Sequence, residues 1–359
     1  MRRSIALILA SLLILSAPGT AFARFSLGRL LKELDAGAAP VSERLLMIRA
    51  LGGSRRRKAT RALGERLDTA GGDPRITAAI VRALGELGYM DATDPLLEAW
   101  EYILERRFRK ADLPAGFQSL RAELVRALGK IGDIKAVPAL RRGMIDGDPL
   151  VVRRALEGLA RLKDGKSAEY MIHLLSGPDE DVSRAAYEAL GELGGQEAGR
   201  ALRAALESPK SPDRVMAAYG LARMGEAIGV LKLDGYIEEV EGAYREGLLA
   251  AGYLARLGRD NGVDYLAGVA GDKESEFRPL AIEVLGESGA SRAALPLAAL
   301  LDDEDAGTRR LAARALGRLR GRRAVAALKR AADDPDADVR AEVRAALASR
   351  GYYSPPDGF

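Results

Sequence analysis

Side chains with the chemistry for catalysis are scarce in this chain of 359 residues. The absence of cysteine excludes thiol nucleophiles, disulfides and thiolate zinc sites. The single histidine, His173, cannot form a histidine-rich metal site, and no serine–histidine–aspartate arrangement is evident around it. The sequence also lacks a Walker-type phosphate loop. We therefore expect no enzymatic activity, no metal and no cofactor.

Aromatic and basic side chains offer binding chemistry instead. Such residues dominate the energetic centres of protein interfaces, and two groups of them occur in this sequence. Either group could equally pack within the fold, with its arginines in solvent and its tyrosines filling gaps between small neighbours. The candidate partner-binding residues are Trp100, Tyr102, Arg106, Arg107, Phe108, Arg109, Tyr236 and Tyr244.

The elements that carry these residues follow an internal repeat. The phrase Ala-Leu-Gly-x-Leu/Ile-Gly begins at Ala83, Ala127 and Ala189, and weaker copies occur elsewhere. Six of the nine spacings between the first leucines of successive phrases are 31 residues, which indicates a stacked repeat array. These marker leucines are Leu51, Leu84, Leu128, Leu159, Leu190, Leu221, Leu254, Leu285, Leu316 and Leu347.

Each repeat is predicted to be a hairpin of two helices. In residues 307–319, apolar side chains recur at helical spacing on one face, and small residues after the marker leucines would let neighbouring helices approach closely. Acidic linkers such as residues 302–305 and 333–336 are expected to cap the next helix. Glycines expected to end the first helix in a left-handed conformation are Gly88, Gly132, Gly194, Gly225, Gly258 and Gly289.

Arginine stands seven residues before the marker leucine in six repeats. We expect each of these arginines to pair with an acidic linker residue of the preceding repeat. The alternative is that the arginines form a ladder along a groove that holds an acidic partner. The six are Arg44, Arg121, Arg214, Arg278, Arg309 and Arg340.

A Val-Arg step, a run of alanines, the repeated phrase and an Ala-x-x-x-Leu helix together resemble the short bacterial HEAT-like repeats, often called PBS-lyase HEAT-like repeats. Residues 338–347 are a close copy of that family's first helix, and the resemblance extends over roughly residues 40–351. It implies an all-α superhelix, an α-solenoid of about ten helical-hairpin repeats. It says little about function, because function belongs to sites on a fold.

Enzymes that share this repeat type are poor guides to this chain. Deoxyhypusine hydroxylases resemble the array, but that family binds iron through repeated His-Glu pairs, whereas His173 is followed here by Leu174. Phycobilin lyases act on a cytosolic pigment system, and this chain begins with a predicted export signal. HEAT-like DNA glycosylases bind DNA, for which a nearly neutral chain provides no attracting field.

Two repeats depart from the period. The spacing of 44 residues between Leu84 and Leu128 places an insertion at about residues 98–116, where we expect a second helix lengthened to about Arg109. The repeat at residues 225–241 is expected to have a poor second helix, interrupted by Gly229, Asp234 and Gly235. Flanking the solenoid at 40–351, we interpret residues 24–39 as an N-terminal capping helix and residues 352–359 as a C-terminal tail.

The first 23 residues are typical of a secretory signal peptide. Arg2 and Arg3 precede an apolar run at residues 4–17, and the small residues of Ala21-Phe22-Ala23 predict cleavage after Ala23. The run of 14 residues is shorter than the ~20 that a membrane-spanning helix needs. Loss of both arginines leaves 53 basic against 51 acidic residues and lowers the formal net charge from +4 to +2. The sequence therefore predicts a periplasmic or secreted protein that has no transmembrane segment after cleavage and does not bind nucleic acid.

Three functional hypotheses follow. The leading one is an exported, non-catalytic scaffold that binds a protein or peptide along the solenoid surface, with the stacked second helices as the contact wall. The alternative is a structural component of an envelope complex, and the oligomeric state is open. The least favoured hypothesis is a cryptic enzyme or lyase-like protein that uses Glu238, Glu239 and Glu241 near the tyrosines.

Overall fold

The structure is a computed structural model that describes residues 27–35, 39–67, 72–108, 119–238 and 245–349. Within these ranges the chain forms twenty α-helices and no strand. Consecutive helices pack on one another, so the predicted all-α solenoid fold is confirmed. The helices belong to two compact units, which we call the N-terminal unit (residues 19–201) and the C-terminal unit (residues 202–359).

The N-terminal unit consists of a leading helix followed by helical hairpins. Leu30 and Leu34 of the leading helix are buried, and this helix packs against the next one. In the hairpins α2, α4, α6, α8 and α10 are the first helices, and α3, α5, α7 and α9 are the second helices. The bounds are α1 (Leu27–Asp35), α2 (Val41–Gly52), α3 (Arg57–Gly64), α4 (Pro74–Leu87), α5 (Thr93–Phe108), α6 (Leu120–Ile131), α7 (Val137–Met144), α8 (Pro149–Arg161), α9 (Ala168–Leu174) and α10 (Glu180–Leu193), followed by α11 (Gly195–Ala205), in which the boundary between the units falls.

The C-terminal unit repeats the same hairpin. Its first helices are α12, α14, α16, α18 and α20, and its second helices are α13, α15, α17 and α19. Single turns of 3-10 helix extend α17 and α19 at Leu300–Asp302 and Ala331–Asp333. The bounds are α12 (Ser211–Arg223), α13 (Ala227–Glu238), α14 (Arg245–Arg256), α15 (Asp260–Gly271), α16 (Arg278–Glu287), α17 (Ala294–Ala299), α18 (Ala306–Arg318), α19 (Arg322–Arg330) and α20 (Ala337–Ala348).

The marker leucines form the centre of each unit's core. All ten lie in first helices, and none is more than 3% exposed. Burying a leucine side chain contributes about 1.5–3 kcal/mol relative to leaving it in water. One helical hairpin cannot enclose such a side chain, which explains why the hairpins stack on their neighbours.

Small residues let successive first helices pack at backbone distance. The residue after a marker leucine faces the residue before the next marker leucine, so that a Cβ added at Gly129 would lie 2.7 Å from the Cα of Gly158. At Gly286 the added Cβ would lie 2.7 Å from the Cα of Ala315, again against backbone. The same close approach occurs between Gly52 and Ala83, between Gly85 and Ala127 and between Gly317 and Ala346. The prediction of close helix contact at these positions is confirmed.

The predicted left-handed conformation is confirmed at Gly88 and Gly132, whereas Gly194 combines a positive φ with an extended ψ of −163°. All six glycines expected to end a first helix have positive φ, between 69° and 85°. Lys163, four residues after Leu159, adopts the same conformation with φ 56°, although it is not glycine. A side chain in this region costs about 1–2 kcal/mol, so the turn geometry is imposed by the stacking of the hairpins.

The second helix of the disturbed repeat is intact, which corrects our prediction. Helix α13 runs without interruption from Ala227 to Glu238 through all three residues expected to break it. A Cβ on Gly229 would lie 2.4 Å from the carbonyl oxygen of Ala218 and 2.3 Å from the amide nitrogen of Ala222. This glycine therefore permits the backbone of α13 to touch α12, a role that composition alone does not distinguish from helix breaking.

The acidic linkers cap the first helices as predicted. The carboxylate of Asp305 accepts hydrogen bonds from the backbone N–H groups of Gly307 and Thr308. Asp336 caps α20 in the same way, and Asp179 caps α10. Each cap satisfies backbone donors that a helix otherwise leaves unpaired. The predicted leader (residues 1–23) and tail (residues 352–359) lie outside the described residues.

Exchanging glycine for alanine tests the packing of first helices. Gly286→Ala places a methyl group against the backbone of α18, and we expect it to destabilise the chain by about 1–3 kcal/mol. The matched control is Gly268→Ala on α15, where an added Cβ meets open space. This control should stabilise the chain by about 0.5–1 kcal/mol through helix propensity. Urea unfolding measures both changes, and stabilisation by Gly286→Ala would contradict the role assigned to this contact.

Candidate functional site

The tryptophan of the insertion belongs to the core. Trp100 and Ile103 are fully buried on α5, and Leu104 is 8% exposed. The indole nitrogen of Trp100 is buried without a hydrogen-bond partner among the described residues. Trp100 therefore packs inside the fold and cannot contact a partner, which agrees with the packing alternative for this residue.

The remaining insertion residues are placed only in part. Tyr102 is half-buried on α5. Arg106, Arg107 and Phe108 form the last residues of this helix, which confirms that it is lengthened as predicted. The positions of these three side chains, and all of Arg109, lie outside the described part of the chain. Their role in binding stays a prediction.

Two further tyrosines, outside the candidate binding residues, stack within the C-terminal unit. The rings of Tyr219 on α12 and Tyr253 on α14 lie 4.1 Å apart and nearly parallel. Both are buried, and the guanidinium carbon of Arg256 lies 5.2 Å and 5.7 Å from the two ring centroids. A stack this well covered fills core space and offers an arginine at its edge, which suits cation–π stabilisation better than ligand binding.

Tyr236 supports the arginine position of its own repeat. Its hydroxyl oxygen accepts a hydrogen bond of 3.1 Å from Nε of Arg214. Another donor of Arg214 reaches the carbonyl oxygen of Ser208 in the preceding linker at 2.8 Å. Tyr236 is half-buried on α13, and Tyr244 lies outside the described residues. Of the predicted tyrosine pair, only Tyr236 is therefore placed, and the role of the pair in binding stays a prediction.

The arginine ladder is structural, but its acidic partners differ from our prediction. Arg309 Nε and Nη2 donate to the two carboxylate oxygens of Asp334 at 2.9 Å and 3.1 Å. Arg121 pairs with Asp146 at 2.7 Å, and Arg278 pairs with a linker aspartate in the same way. Each partner lies 25 residues after its arginine, in the linker that follows the arginine's own hairpin and not in the preceding repeat. The second helix runs back alongside the first, so that the hairpin ends near the start of its first helix. The following linker therefore lies beside the arginine.

The preceding linker supplies carbonyl oxygens instead of a carboxylate. Nη1 of Arg309 donates to the carbonyl oxygens of Asp303 and Glu304 at 2.8 Å and 3.1 Å. Arg340 makes the equivalent bonds to Asp334 and Pro335. One guanidinium can therefore join two successive linkers, which a point charge such as lysine does less well.

These contacts lower the pKa of the linker carboxyls. Hydrogen bonding from Arg309 holds the pKa of Asp334 below its ordinary value of 3.8, against the effect of burial, and the N–H of Asp336 adds to this. At Asp303, burial would raise the pKa, but the N–H of Asp305 and the guanidinium of Arg278 outweigh it and lower the pKa. Both carboxylates therefore stay ionised in the folded chain at neutral pH.

The second helices of the C-terminal unit form the most accessible apolar surface there. Among its described residues the exposed large apolar side chains are Ile228, Leu231 and Leu295, and all three lie on second helices. Leu231 is 66% exposed and Leu295 is 57% exposed. In the N-terminal unit, such side chains are instead distributed over first helices, turns, a linker and a second helix. We call the solvent side of α13, α15, α17 and α19 the C-terminal second-helix face.

Polar contacts join the helices of this face. The amide of Asn261 on α15 donates to Asp234 on α13 at 2.8 Å. Arg292, just before α17, pairs with Asp260 and with Asp264 of α15. Helix α17 packs in turn against α19. The four helices therefore hold their exposed apolar side chains in fixed relative positions.

A depression lies at one end of α15. It has a volume of about 470 Å³ and is open to solvent. Its lining is mainly polar and consists of Gly268, Val269, Asp272, Glu274, Ser275, Glu276 and Phe277.

No catalytic or metal centre emerges from the described residues. His173 is exposed at the end of α9, and the described residues contain no group of three or more His, Asp or Glu side chains placed to hold a metal ion. None of the helices described is long and apolar enough to cross a membrane.

Sequence reasoning missed the leucines of the C-terminal second-helix face. Leu231 and Leu295 stand ten residues after their marker leucines, where the neighbouring repeats have Asp264 and Ala326. An alignment of the repeats on one another carries this signal, because an exposed leucine stands out against polar or small equivalents. The aromatic content of the insertion drew the prediction elsewhere.

Comparison with known families gives one clear match. A family model for HEAT repeats matches residues 113–180, 144–223 and 271–348, which together cover more than half of the chain. No curated protein matches this chain.

Several solved structures are similar to this chain at low identity. Human deoxyhypusine hydroxylase, in complex with glycerol, is 22% identical over 82% of this chain and 96% of its own, with a TM-score of 0.35. An engineered protein is 18% identical over 89% of this chain and 98% of its own, with a TM-score of 0.35. The complex of CpcE and CpcF of phycocyanin lyase from Nostoc sp. PCC7120 is 19% identical over 93% of this chain and 97% of that chain, with a TM-score of 0.31. Likeness at these TM-scores says nothing about activity.

Neutralising one linker carboxyl tests the arginine clamp. The side chains of Arg309 and Asp334 are only 11% and 6% exposed, so Asp334→Asn should cost about 1–3 kcal/mol of stability at neutral pH. Because the pKa of Asp334 is lower in the folded chain than in the unfolded one, its contribution is present above 3.8 and is lost as the pH falls through the folded value. Asp334→Asn should therefore flatten the acid limb of the curve of stability against pH.

The control for this prediction is Asp333→Asn, which changes the adjacent, exposed carboxyl. Thermal unfolding between neutral pH and acid provides the measurement for both variants. Equal effects of the two substitutions would show that the clamp does not act through the pairing of Arg309 with Asp334.

Proposed function

The chain belongs to the HEAT-repeat family, and we propose that it is an exported, non-catalytic scaffold that binds a protein or peptide partner on the C-terminal second-helix face. The observation that carries this proposal is the exposure of Ile228, Leu231 and Leu295 on second helices of one unit. An exposed leucine contributes hydrophobic free energy to binding when another molecule covers it, and contiguous exposed apolar surface is typical of interaction sites.

The energetics favour a macromolecular partner. Covering the side chain of one exposed leucine contributes about 1.5–3 kcal/mol, and Leu231 and Leu295 lie on helices separated by α15. A ligand must extend across α15 to contact both, as a peptide or a protein surface does.

The non-catalytic part of the proposal rests on the chemistry of the face. Its charged groups include Arg292, which joins neighbouring helices by pairing with Asp260 and Asp264, and the arginines of α19. General acid–base catalysis needs a group within hydrogen-bond reach of the substrate and with a pKa near the working pH. Arginine side chains stay protonated at neutral pH and do not meet that requirement.

Partner capture tests the face directly. Wild-type chain and Leu231→Ser/Leu295→Ser double variant serve as baits for envelope fractions of the source cells. We expect the wild type to retain one partner in stoichiometric amount and the variant to lose at least about 90% of it. The reason is that removing two leucines that the partner would bury lowers the free energy of binding by several kcal/mol.

The matched control is Leu46→Ser/Leu150→Ser, which removes two exposed leucines from first helices of the N-terminal unit. It should capture the partner as the wild type does. Both double variants should unfold within about 0.5 kcal/mol of the wild type, because exposed substitutions change stability little. Equal capture by all three chains would overturn the proposal.

Export is the other part of the proposal, and the predicted leader supports it. Cleavage after Ala23 makes Arg24 the first residue of the mature chain. Mass spectrometry of the protein recovered from the periplasm or medium should find that terminus. Recovery of the chain from the cytoplasm with the leader still attached would contradict export and leave the binding face untested by this measurement.

A further inference from the structure

Helix α19 and the turn before it carry arginines that have no ion-pair partner among the described residues. Arg320, Arg322, Arg323 and Arg330 are all exposed, and none of them forms an ion pair within the described part of the chain. We call these four residues the α19 basic patch. Because like charges repel, the electrostatic energy of these four arginines falls when an anion lies near them.

Two exposed arginines on other second helices have carboxylate partners. Arg57 of α3 pairs with Asp91 at 2.7 Å, and Arg142 of α7 pairs with Glu101. In both cases the carboxylate comes from a neighbouring repeat. The second helix beside α19 is α17, which contains only alanine, leucine and proline and therefore offers no carboxylate.

The position of the patch also opposes helix stability. Asp305 and Asp336 cap the first helices α18 and α20, where a negative charge suits the positive end of the helix dipole. At α19 the N-cap residue is Gly321, which has no side chain to cap the helix, and arginines surround this end. Cations at a helix N-terminus cost stability. The second helices α3 and α15, whose N-cap residues are Arg56 and Arg259, likewise begin without a side-chain cap.

We propose that the α19 basic patch docks an acidic segment of the partner protein, with Leu295 receiving an apolar side chain of that segment. This inference rests on the proposed function and names the chemistry of the partner. Leu295 is exposed on α17, and α17 packs against α19, so positive charge and apolar surface adjoin. A peptide that alternates carboxylates with apolar residues complements both.

The borders of the patch favour a short acidic segment over a long polyanion. Asp302 and Asp333 are exposed at the C-terminal ends of the helical stretches that include α17 and α19. A nucleic acid that continued past the patch would meet these carboxylates and would leave Leu295 uncovered. An acidic protein segment can end before them.

A defined peptide tests the docking. The probe is a fluorescent synthetic peptide in which glutamates alternate with leucines, and its control has glutamine in place of every glutamate. Fluorescence anisotropy with the full mature chain should show binding of the acidic peptide only, with affinity that falls as salt is added.

Two variants of equal charge locate the effect. Arg322→Gln/Arg323→Gln/Arg330→Gln should weaken the acidic peptide at least about tenfold, because charges in the docking site act at close range. Arg82→Gln/Arg154→Gln/Arg184→Gln removes the same charge from exposed first-helix ion pairs and should change affinity by less than about twofold. Circular dichroism verifies that both variants fold.

The outcomes separate the patch from the proposed function. Equal weakening by both triple variants, or no binding of the acidic peptide, rejects the patch. Tighter binding of an oligonucleotide or of phosphatidylglycerol vesicles than of the peptide also rejects it in favour of those anions. If partner capture depends on Leu231 and Leu295 but is unaffected by the patch variant, the patch is rejected and the proposed function stands. If partner capture depends neither on these leucines nor on the patch, both the patch and the proposed function are rejected.

Discussion

Contact between the backbones of successive first helices is the constraint on which the rest of the structure depends. Where Gly286 meets Ala315, a single additional methyl group would lie 2.7 Å from a Cα atom. Such contacts set how close one hairpin lies to the next and so determine how the marker leucines are enclosed. Each linker must then place the start of the next first helix beside the start of the previous one. Arg309 and its equivalents secure the linkers by joining the carbonyl oxygens of one linker to the carboxylate of the next.

The period of the sequence predicts most of this architecture because stacking imposes the same demand on every repeat. A buried leucine, a glycine in the turn and an aspartate before the next helix each answer a local requirement, and so each recurs at a fixed place. The partner of Arg309 was predicted wrongly because the choice between two linkers depends on how the hairpin folds back. Gly229 was misread for a related reason, since a glycine that permits close packing and a glycine that breaks a helix have the same composition signal.

The candidate site was less accessible to sequence reasoning than the fold. Trp100 was prominent by its type, yet it is fully buried. Leu231 and Leu295 were inconspicuous in a leucine-rich chain, and only their exposure distinguishes them from core residues. A stripe of leucines predicts that one face of a helix is apolar. It does not predict whether that face meets solvent, because exposure depends on how other helices pack around it. The arginines of α19 are equally inconspicuous in the sequence. They are distinguished only by the structure, in which they have no ion-pair partner among the described residues.

The account's central claim is that the second helices of the C-terminal unit are the surface on which a partner binds. Hydrogen–deuterium exchange of the chain with and without its captured partner tests this most directly, because amide protection reports each helix separately. We expect slower exchange in α13, α17 and α19 on binding, with little change in the first helices α12, α16 and α18. Protection confined to α12, α16 and α18, or absent from the whole C-terminal unit, would contradict this claim.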